Sequence, residues 1–218
     1  MLDRIAPREA AVGDWRGDAS EASCGRCGLC VGPGEVVEGC CSRCRGLRLP
    51  WETMTRLGRY RDPLAAWIKR LKYGGKHTWA AELGGRLGEA AAEHLQAMTL
   101  VPVPMHWVRR TTRGLDHASL IAEGMSAATG WPVCRLLRRT RLTAPQSRVP
   151  VSGRVANLVD AIGLRERDGL GRRLQLPERV LLVDDIKTTG ATLGRCAGVL
   201  KRAGVAEIHA AVLGVAEP

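Results

Sequence analysis

Long apolar runs and phenylalanine are missing from this chain of 218 residues, and its first residues lack the apolar core of a signal peptide. No stretch approaches the ~18 uninterrupted apolar residues of a membrane-spanning helix, so we predict no membrane span. Charged residues interrupt the first 23 residues, which excludes the apolar core of a signal peptide and favours a cytoplasmic location. The chain has only six Trp and two Tyr, and we expect them to pack in the core rather than to form a platform for stacked bases.

Lysine is missing from residues 100–175, although the whole chain carries a formal net charge of +11. That stretch contains 13 arginines against five acidic residues, a local balance of +8. A guanidinium group binds phosphate oxygens in a bidentate manner, and a positive field attracts anions. We therefore expect phosphorylated small molecules or nucleic acid as partners, although arginines on a solvated face would give the same composition.

Disulfides are not expected either, because the eight cysteines occur in a chain without a secretory signal. Six of them fall in one short segment, where two Cys-x2-Cys pairs separated by 13 residues match the ligand pattern of a tetrahedral zinc site. The four ligands that we favour are Cys24, Cys27, Cys41 and Cys44. Cys30 and Cys40 offer other pairings, and an iron–sulfur cluster would use the same ligand type. Four thiolates would close the site, so its role would be structural.

Strand and helix patterns follow the cysteine segment. We predict strands at Met54–Tyr60, Leu100–Pro104, Val133–Leu137, Val180–Val183 and Glu207–Gly214. We predict helices at Leu64–Tyr73, Thr78–Gln96, Gly114–Thr129 and Thr192–Ala203, and a polar loop over residues 165–176. Alternation of strands and helices indicates an α/β fold with a parallel sheet covered on both faces. The chain thus divides into a loose tail (residues 1–22), a cysteine knuckle (residues 23–50) and an α/β domain (residues 51–218).

The strongest functional signal is the segment Val-Leu-Leu-Val-Asp-Asp-Ile-Lys-Thr-Thr-Gly-Ala-Thr, which runs from Val180 to Thr192. An apolar strand ends at Asp184 and Asp185, and hydroxyl groups and a glycine follow where a helix begins. Ligands bind at the carboxyl ends of parallel strands, and a helix N-terminus with free backbone N–H groups binds anions. The arrangement suits a sugar phosphate, with the phosphate on the threonines and amides and the ribose hydroxyls on the aspartates.

This segment resembles the signature with which type I phosphoribosyltransferases bind 5-phosphoribosyl-1-pyrophosphate (PRPP), and it matches nearly all 13 positions. The resemblance implies a type I phosphoribosyltransferase-like parallel sheet with flanking helices. One position departs from the pattern, because Lys187 stands where that family often has an apolar or small residue. Lys187 either adds a phosphate contact or is solvated.

With a cysteine knuckle ahead of this segment, the chain resembles the ComF family, whose members are linked to competence and DNA uptake. Further likenesses are Ile68-Lys-Arg-Leu-Lys-Tyr-Gly-Gly75, Val101-Pro-Val-Pro104, Arg113-Gly-Leu-Asp-His-Ala118 and a long basic stretch after Arg138. Asp116 and His117 replace the Asn and Gln that are usual in the family, which would alter an acceptor pocket at that place.

The resemblance also implies roles for individual residues. Asp184 and Asp185 would hold the ribose. The loop that follows them would bind the 5′-phosphate and consists of Lys187, Thr188, Thr189, Gly190, Ala191 and Thr192. The pyrophosphate would lie beside the turn formed by Pro102, Val103 and Pro104 and beside Arg113, with Mg²⁺ held by pyrophosphate and ribose oxygens. Lys72 is a further candidate for a phosphate contact or for a surface position. The basic stretch carries Gln146, Arg154 and Asn157, which would belong either to a mobile loop over the site or to a disordered insert.

Two functions of different class follow. In the first, the protein binds PRPP and transfers the phosphoribosyl group to a nitrogenous acceptor. In the second, it has no catalytic activity and binds single-stranded DNA or senses PRPP for the proteins of the DNA-uptake machinery. The loop favours retained PRPP binding, while the lack of a recognisable acceptor pocket favours the accessory role.

Overall fold

The computed structural model describes residues 22–73, 77–105, 116–141 and 160–217, together with Trp15 and Gly17. In chain order its strands are β1 (Val36–Val37), β2 (Cys40–Cys41), β3 (Met54–Arg59), β4 (Thr99–Pro102), β5 (Leu137–Arg141), β6 (Asp160–Leu164), β7 (Arg179–Lys187) and β8 (Glu207–Val215). Its helices are α1 (Leu64–Tyr73), α2 (His77–Ala92), α3 (His117–Thr129) and α4 (Ala191–Ala203).

Four of these strands form a fully parallel sheet in the order β3-β8-β7-β4. The middle strands are apolar along most of their length, and the side chains of Val180–Val183 are fully buried. Strands that are covered on both faces need apolar residues at successive positions, which explains these unbroken runs. The predicted α/β class, with a parallel sheet, flanking helices and a cysteine knuckle in front, is confirmed.

Helices cover both faces of the sheet. Leu181 and Val183 of β7 point into a core that α1, α2 and α3 complete. Val180 and Leu182 point the opposite way, into a core shared with α4 and with Leu29 and Leu49 of the cysteine knuckle. This alternation is the two-residue period of a strand. The knuckle therefore packs on the same side of the sheet as α4, which begins directly after the predicted binding loop.

One predicted strand is misplaced. Residues 133–137 do not form the expected element, because Val133 makes only an isolated parallel bridge with Leu100 and β5 starts at Leu137. β5 then pairs antiparallel with β6 in a separate two-stranded sheet, outside the parallel one. Its residues are Leu-Arg-Arg-Thr-Arg, of which Leu137 packs into the core on the α4 side of the sheet.

Local signals set the ends of α3, which ends at Thr129 as predicted but begins at His117 rather than at the predicted Gly114. Asp116 is its N-cap, and the carboxylate accepts hydrogen bonds from the backbone N–H and the hydroxyl of Ser119. Gly130 ends the helix in the left-handed region (φ 74°), where a glycine is favoured because it has no Cβ. Asp116 is thus engaged in capping the helix that follows the predicted pyrophosphate turn.

Two further observations concern the rest of the described chain. Trp15, within the segment predicted as a tail, packs edge-on against Trp67 of α1 with ring centroids 5.1 Å apart. Among the described helices, none has both the length and the apolar character that crossing a membrane requires.

Candidate ligand site and metal centre

The carboxyl ends of β4 and β7 lie side by side. Pro102 is in register with Val183, and the backbone N–H of Val103 donates to the carbonyl of Val183 over 2.9 Å. The turn predicted to face a pyrophosphate therefore begins next to the two predicted ribose-binding aspartates. Residues far apart in sequence meet here because parallel strands end at the same edge of the sheet.

Asp184 and Asp185 lie within β7, although the sequence predicted that the strand would end at Val183. Both side chains are partly exposed, and the Asp184 carboxylate accepts a hydrogen bond of 2.8 Å from the backbone N–H of Asp185. The strand extends this far because β8 continues to pair with it up to Lys187 and Val215. The two carboxylates are consequently carried on rigid backbone rather than on a loop.

The loop after β7 leads directly into α4. Thr188 and Thr189 are exposed, and the Thr189 hydroxyl accepts from the backbone N–H of Ala191 at 3.3 Å. Gly190 is the N-cap in the left-handed region (φ 78°) and supplies no side-chain cap to the first turn. The backbone N–H groups beyond Ala191 and the positive end of the helix dipole are features that favour an anion at a helix N-terminus.

Gly190 is also closely packed. A Cβ atom there would lie 3.2 Å from Cη2 of Trp51 and 3.4 Å from Cε of Lys187. The Trp51 indole N–H donates to the carbonyl of Arg26 over 2.9 Å. Trp51 therefore joins the cysteine knuckle to the binding loop, a link that the sequence did not suggest.

The four favoured cysteines come together as one buried cluster. The Sγ atoms are 3.6 Å apart for Cys24 and Cys44, 3.6 Å for Cys27 and Cys41, and 3.7 Å for Cys41 and Cys44. Tetrahedral coordination with Zn–S bonds of about 2.3 Å requires sulfurs about 3.8 Å apart. The donor set and its spacing therefore fit a tetrahedral metal ion held by four thiolates.

The cluster also shifts the ionisation of its thiols in opposite directions. Burial raises the pKa of Cys27 to about 11 and also raises the pKa of Cys44. For Cys24, backbone N–H donors outweigh burial and lower the pKa to about 6. Because metal binding requires thiolates, it must displace protons from Cys27 and Cys44, and the affinity for metal falls as the pH falls.

The two alternative cysteines have other partners. Cys30 Sγ accepts a hydrogen bond from the Arg56 guanidinium over 2.9 Å, and Cys40 Sγ lies 3.7 Å from Arg26 Nη1. Neither belongs to the four-sulfur cluster. Of the cysteine pairings that the sequence left open, the structure thus favours the set without Cys30 and Cys40.

Lys187 does not lie on the exposed part of the loop. Its side chain is only 7% exposed, and it lines a cavity of about 470 Å³ together with Cys27, Cys44, Thr188 and Thr189. Burial lowers the pKa of its ammonium group, while the negative charges of the cysteine sulfurs act in the opposite direction. The residue at the start of the predicted phosphate loop therefore faces the cysteine cluster.

The basic stretch contributes a second, smaller cavity of about 230 Å³ beside the turn after β4. The Arg139 guanidinium donates to the carbonyl of Pro104 over 2.8 Å, which ties β5 to that turn. The arginines that line this cavity are Arg135, Arg138, Arg139 and Arg165. The sequence did not show that these four arginines lie together, because Arg165 is brought close to the other three by the pairing of β5 with β6, a contact between distant segments.

Several predicted residues fall outside this description. Arg113, Gln146, Arg154 and Asn157 lie outside the described residues, and of Lys72 only the backbone in α1 is described. Their proposed roles on the pyrophosphate, in a mobile loop and on a phosphate stay predictions.

Comparison with known proteins gives consistent relatives. No family model matches the chain. It is 28% identical to Competence protein F of Haemophilus influenzae over 191 residues, which is 84% of this chain and 81% of the relative. It is 29% identical to DNA utilization protein YhgH of Escherichia coli strain K12 over 200 residues, covering 85% and 81%. It is 24% identical to Competence protein ComFC of Streptococcus pneumoniae over 149 residues, covering 68% and 62%.

Solved structures that resemble the chain are more distant. An allosteric regulatory enzyme of purine biosynthesis matches with a TM-score of 0.41 and 21% identity over 66% of this chain. The chain spans only 30% of that enzyme's length. A purine phosphoribosyltransferase from Pyrococcus horikoshii matches with a TM-score of 0.35 and 16% identity, over 74% of this chain and 78% of its own. At these TM-scores the likeness is weak, so the fold rests on the sheet itself.

Proposed function

We propose that this chain, a ComF-family protein by its curated relatives, binds PRPP or another phosphoribosyl ligand where β7 meets α4. One observation carries the proposal: β7 leads through two partly exposed aspartates into α4, whose N-cap, Gly190, has no side chain to occupy the backbone N–H groups beyond that of Ala191. The turn after β4 lies alongside. The names of the relatives add a link to competence and DNA utilisation, which we extend to this protein.

In this proposal each group has a defined task. Asp184 and Asp185 accept hydrogen bonds from the vicinal ribose hydroxyls, and the hydroxyls and backbone amides of Thr188–Thr192 hold the 5′-phosphate. The turn at Pro102–Pro104 and Arg113 face the pyrophosphate, whose oxygens would chelate Mg²⁺ together with those of the ribose.

A transfer reaction would use the same contacts. The nitrogen of an acceptor would form a bond to the anomeric carbon of the ribose while the bond to pyrophosphate breaks, and pyrophosphate would leave with the bonding electrons. The site supports this step by placement and by charge rather than by a general base. The aspartates, fixed on β7, are positioned to orient the ribose while positive charge develops on it.

Calorimetric titration of PRPP with Mg²⁺ tests the ligand site. The wild type is expected to bind saturably, and the Asp184→Asn/Asp185→Asn variant to bind about 100-fold more weakly or not at all. Hydrogen bonds to charged groups contribute about 1.5–3 kcal/mol each, and the substitutions replace two charged carboxylate acceptors by neutral amides.

A matched control separates the loss of contacts from the loss of charge. The Glu89→Gln/Glu93→Gln variant removes two exposed carboxylates in and just beyond α2, a helix that packs on the face of the sheet opposite α4, and it should bind PRPP like the wild type. No binding by a folded, metal-loaded wild type would reject the proposed function. Saturable binding would justify a search for acceptors by pyrophosphate release.

For the knuckle we propose zinc in a structural role, since four thiolates leave no coordination position open for a substrate. Iron would use the same sulfurs, and elemental analysis of the purified protein distinguishes the two metals.

A second candidate function is binding of single-stranded DNA without catalysis. It is favoured by the arginines of the 230 Å³ cavity, of which Arg135 and Arg138 are exposed. Electrostatic binding of this kind weakens steeply with salt, because each phosphate contact releases counterions. Oligonucleotide affinity measured at two salt concentrations, in wild type and in Arg135→Gln/Arg138→Gln, tests it; an affinity that neither salt nor the substitutions change would exclude the role.

A further inference from the structure

Lys187 is the last residue of β7 and the first of the segment assigned to a phosphate. Its backbone is fixed by β8, since the Ala216 N–H donates to the Lys187 carbonyl over 2.8 Å. Ile186, the preceding residue, packs against the core of α1–α3 as Leu181 and Val183 do, so the two-residue alternation shifts by one position before the end of β7. Lys187 therefore points to the opposite face, where the cysteine knuckle packs.

On that face the Lys187 side chain lies beside the cysteine cluster, in a cavity that the exposed Arg43 also lines. Lys187 shares its cavity with Cys27 and Cys44, and the charges that act on it are those of the four cysteines. Within the described part of the chain, its side chain has no hydrogen-bond or ion-pair partner. The acidic residue of the cavity, Glu217, is engaged by the Arg59 guanidinium and by the backbone N–H of Cys30.

A metal ion in the cluster would make this arrangement favourable. A divalent ion bound by four thiolates carries a net charge of −2, and such a charge is costly to bury without a neighbouring cation. The buried Lys187 side chain, for which the described residues provide no other partner, supplies that cation. Thr188 and Thr189, which line the same cavity, are exposed, whereas Lys187 is buried.

We propose that Lys187 is the charge partner of the metal–thiolate centre and not a ligand of the phosphate. The metal-loaded knuckle then fixes the start of the binding loop in two ways: through the Lys187 side chain and through Trp51, both of which approach Gly190. Loss of the metal would release Lys187 and loosen the loop.

The test measures metal and ligand separately. Metal-loaded wild type, Lys187→Met and Lys187→Arg are mixed with a chromogenic chelator, and the rate of metal release is followed. Removing a group that supports metal ligands from outside typically weakens metal affinity about 10- to 100-fold, so Lys187→Met should release metal correspondingly faster. Lys187→Arg keeps the positive charge and should release metal near the wild-type rate. Lys201→Met, which removes an exposed lysine of α4, is the matched control and should behave like the wild type.

The same variants are then titrated with PRPP and Mg²⁺, a readout that rests on the proposed function. With metal bound, Lys187→Met is expected to keep an affinity close to that of the wild type, because Trp51 still holds the loop at Gly190. Unchanged metal release by Lys187→Met would overturn the inference, as would a loss of PRPP affinity by the metal-loaded variant, since Lys187 would then be a phosphate ligand. If the wild type binds no PRPP, the proposed function fails and the release rates alone decide the inference.

Discussion

A Cys41→Ser variant is expected to be purified without its metal, whereas the Cys40→Ser variant of the neighbouring residue keeps one metal ion per chain. Cys41 Sγ lies within 3.7 Å of two other sulfurs of the cluster, while among the described residues the partner of Cys40 Sγ is the Arg26 guanidinium. Binding of a structural zinc ion contributes about 10–16 kcal/mol in small zinc domains, so the loss of one thiolate weakens the site by orders of magnitude.

The metal-free knuckle should also unfold locally. Its only regular structure within the described residues is the pair of two-residue strands β1 and β2, and its core consists of the four cysteines with a few partly buried apolar side chains. So small a core does not offset the conformational entropy of an ordered segment. Hydrogen exchange should therefore be fast at the amides of Gly28 and Arg45 in Cys41→Ser and slow in Cys40→Ser, because both amides bond to carbonyls of cluster cysteines.

Elemental analysis and hydrogen exchange on the two variants decide the ligand set. Retention of metal by Cys41→Ser, or its loss from Cys40→Ser, would contradict the assignment and return Cys30 and Cys40 to consideration. The comparison is sharp because the two substitutions are adjacent and chemically identical.

Elements with strong local signals were predictable from the sequence. α1 has the predicted bounds because its apolar residues recur at helical spacing, and α3 ends at Gly130 because a left-handed C-cap favours glycine. The two Cys-x2-Cys pairs were recognisable for the same reason, since each pair is a single turn. All of these features depend on residues close together in the chain.

Features that depend on distant contacts were not predictable. The position of β5 is set by its pairing with β6, and β7 extends to Lys187 because β8 continues beside it. The direction of the Lys187 side chain was equally hidden, since a lysine after two aspartates looks solvated until the element that packs on that face is known. The candidate site was thus recognisable as a motif, but its connection to the cysteine knuckle was not.

Opposite effects on stability are expected from alanine at two adjacent glycines of α2. A Cβ atom at Gly84 would lie 2.4 Å from the backbone oxygen of Ile121 in α3, a contact that only a shift of one helix can relieve. At Gly85 the nearest atom is Cβ of Ala128 at 3.8 Å, an ordinary van der Waals contact. Overpacking typically costs about 1–3 kcal/mol, while replacing a helical glycine by alanine gains about 1 kcal/mol.

The crossing matters because α2 and α3 pack together on one face of the sheet, α2 against β3 and β8 and α3 against β4 and β7. Gly124 of α3 has the reciprocal contact, with a Cβ position 2.5 Å from the backbone oxygen of Ala81. Neither helix can therefore accept a side chain at the crossing without moving the other. Asp116, the N-cap of α3, lines a cavity together with Pro102 and Pro104 of the turn after β4. A shift of α3 would therefore also disturb the part of the proposed site that faces the pyrophosphate.

Urea unfolding followed by tryptophan fluorescence measures both effects, since Trp67 and Trp79 lie in the core that α2 and α3 share. Gly84→Ala should lower the free energy of unfolding by about 1–3 kcal/mol, and Gly85→Ala should leave it unchanged or raise it by up to about 1 kcal/mol. A Gly84→Ala variant as stable as Gly85→Ala would show that the two helices can separate at little cost. The close crossing of α2 and α3 would then not be what fixes α3 against the sheet.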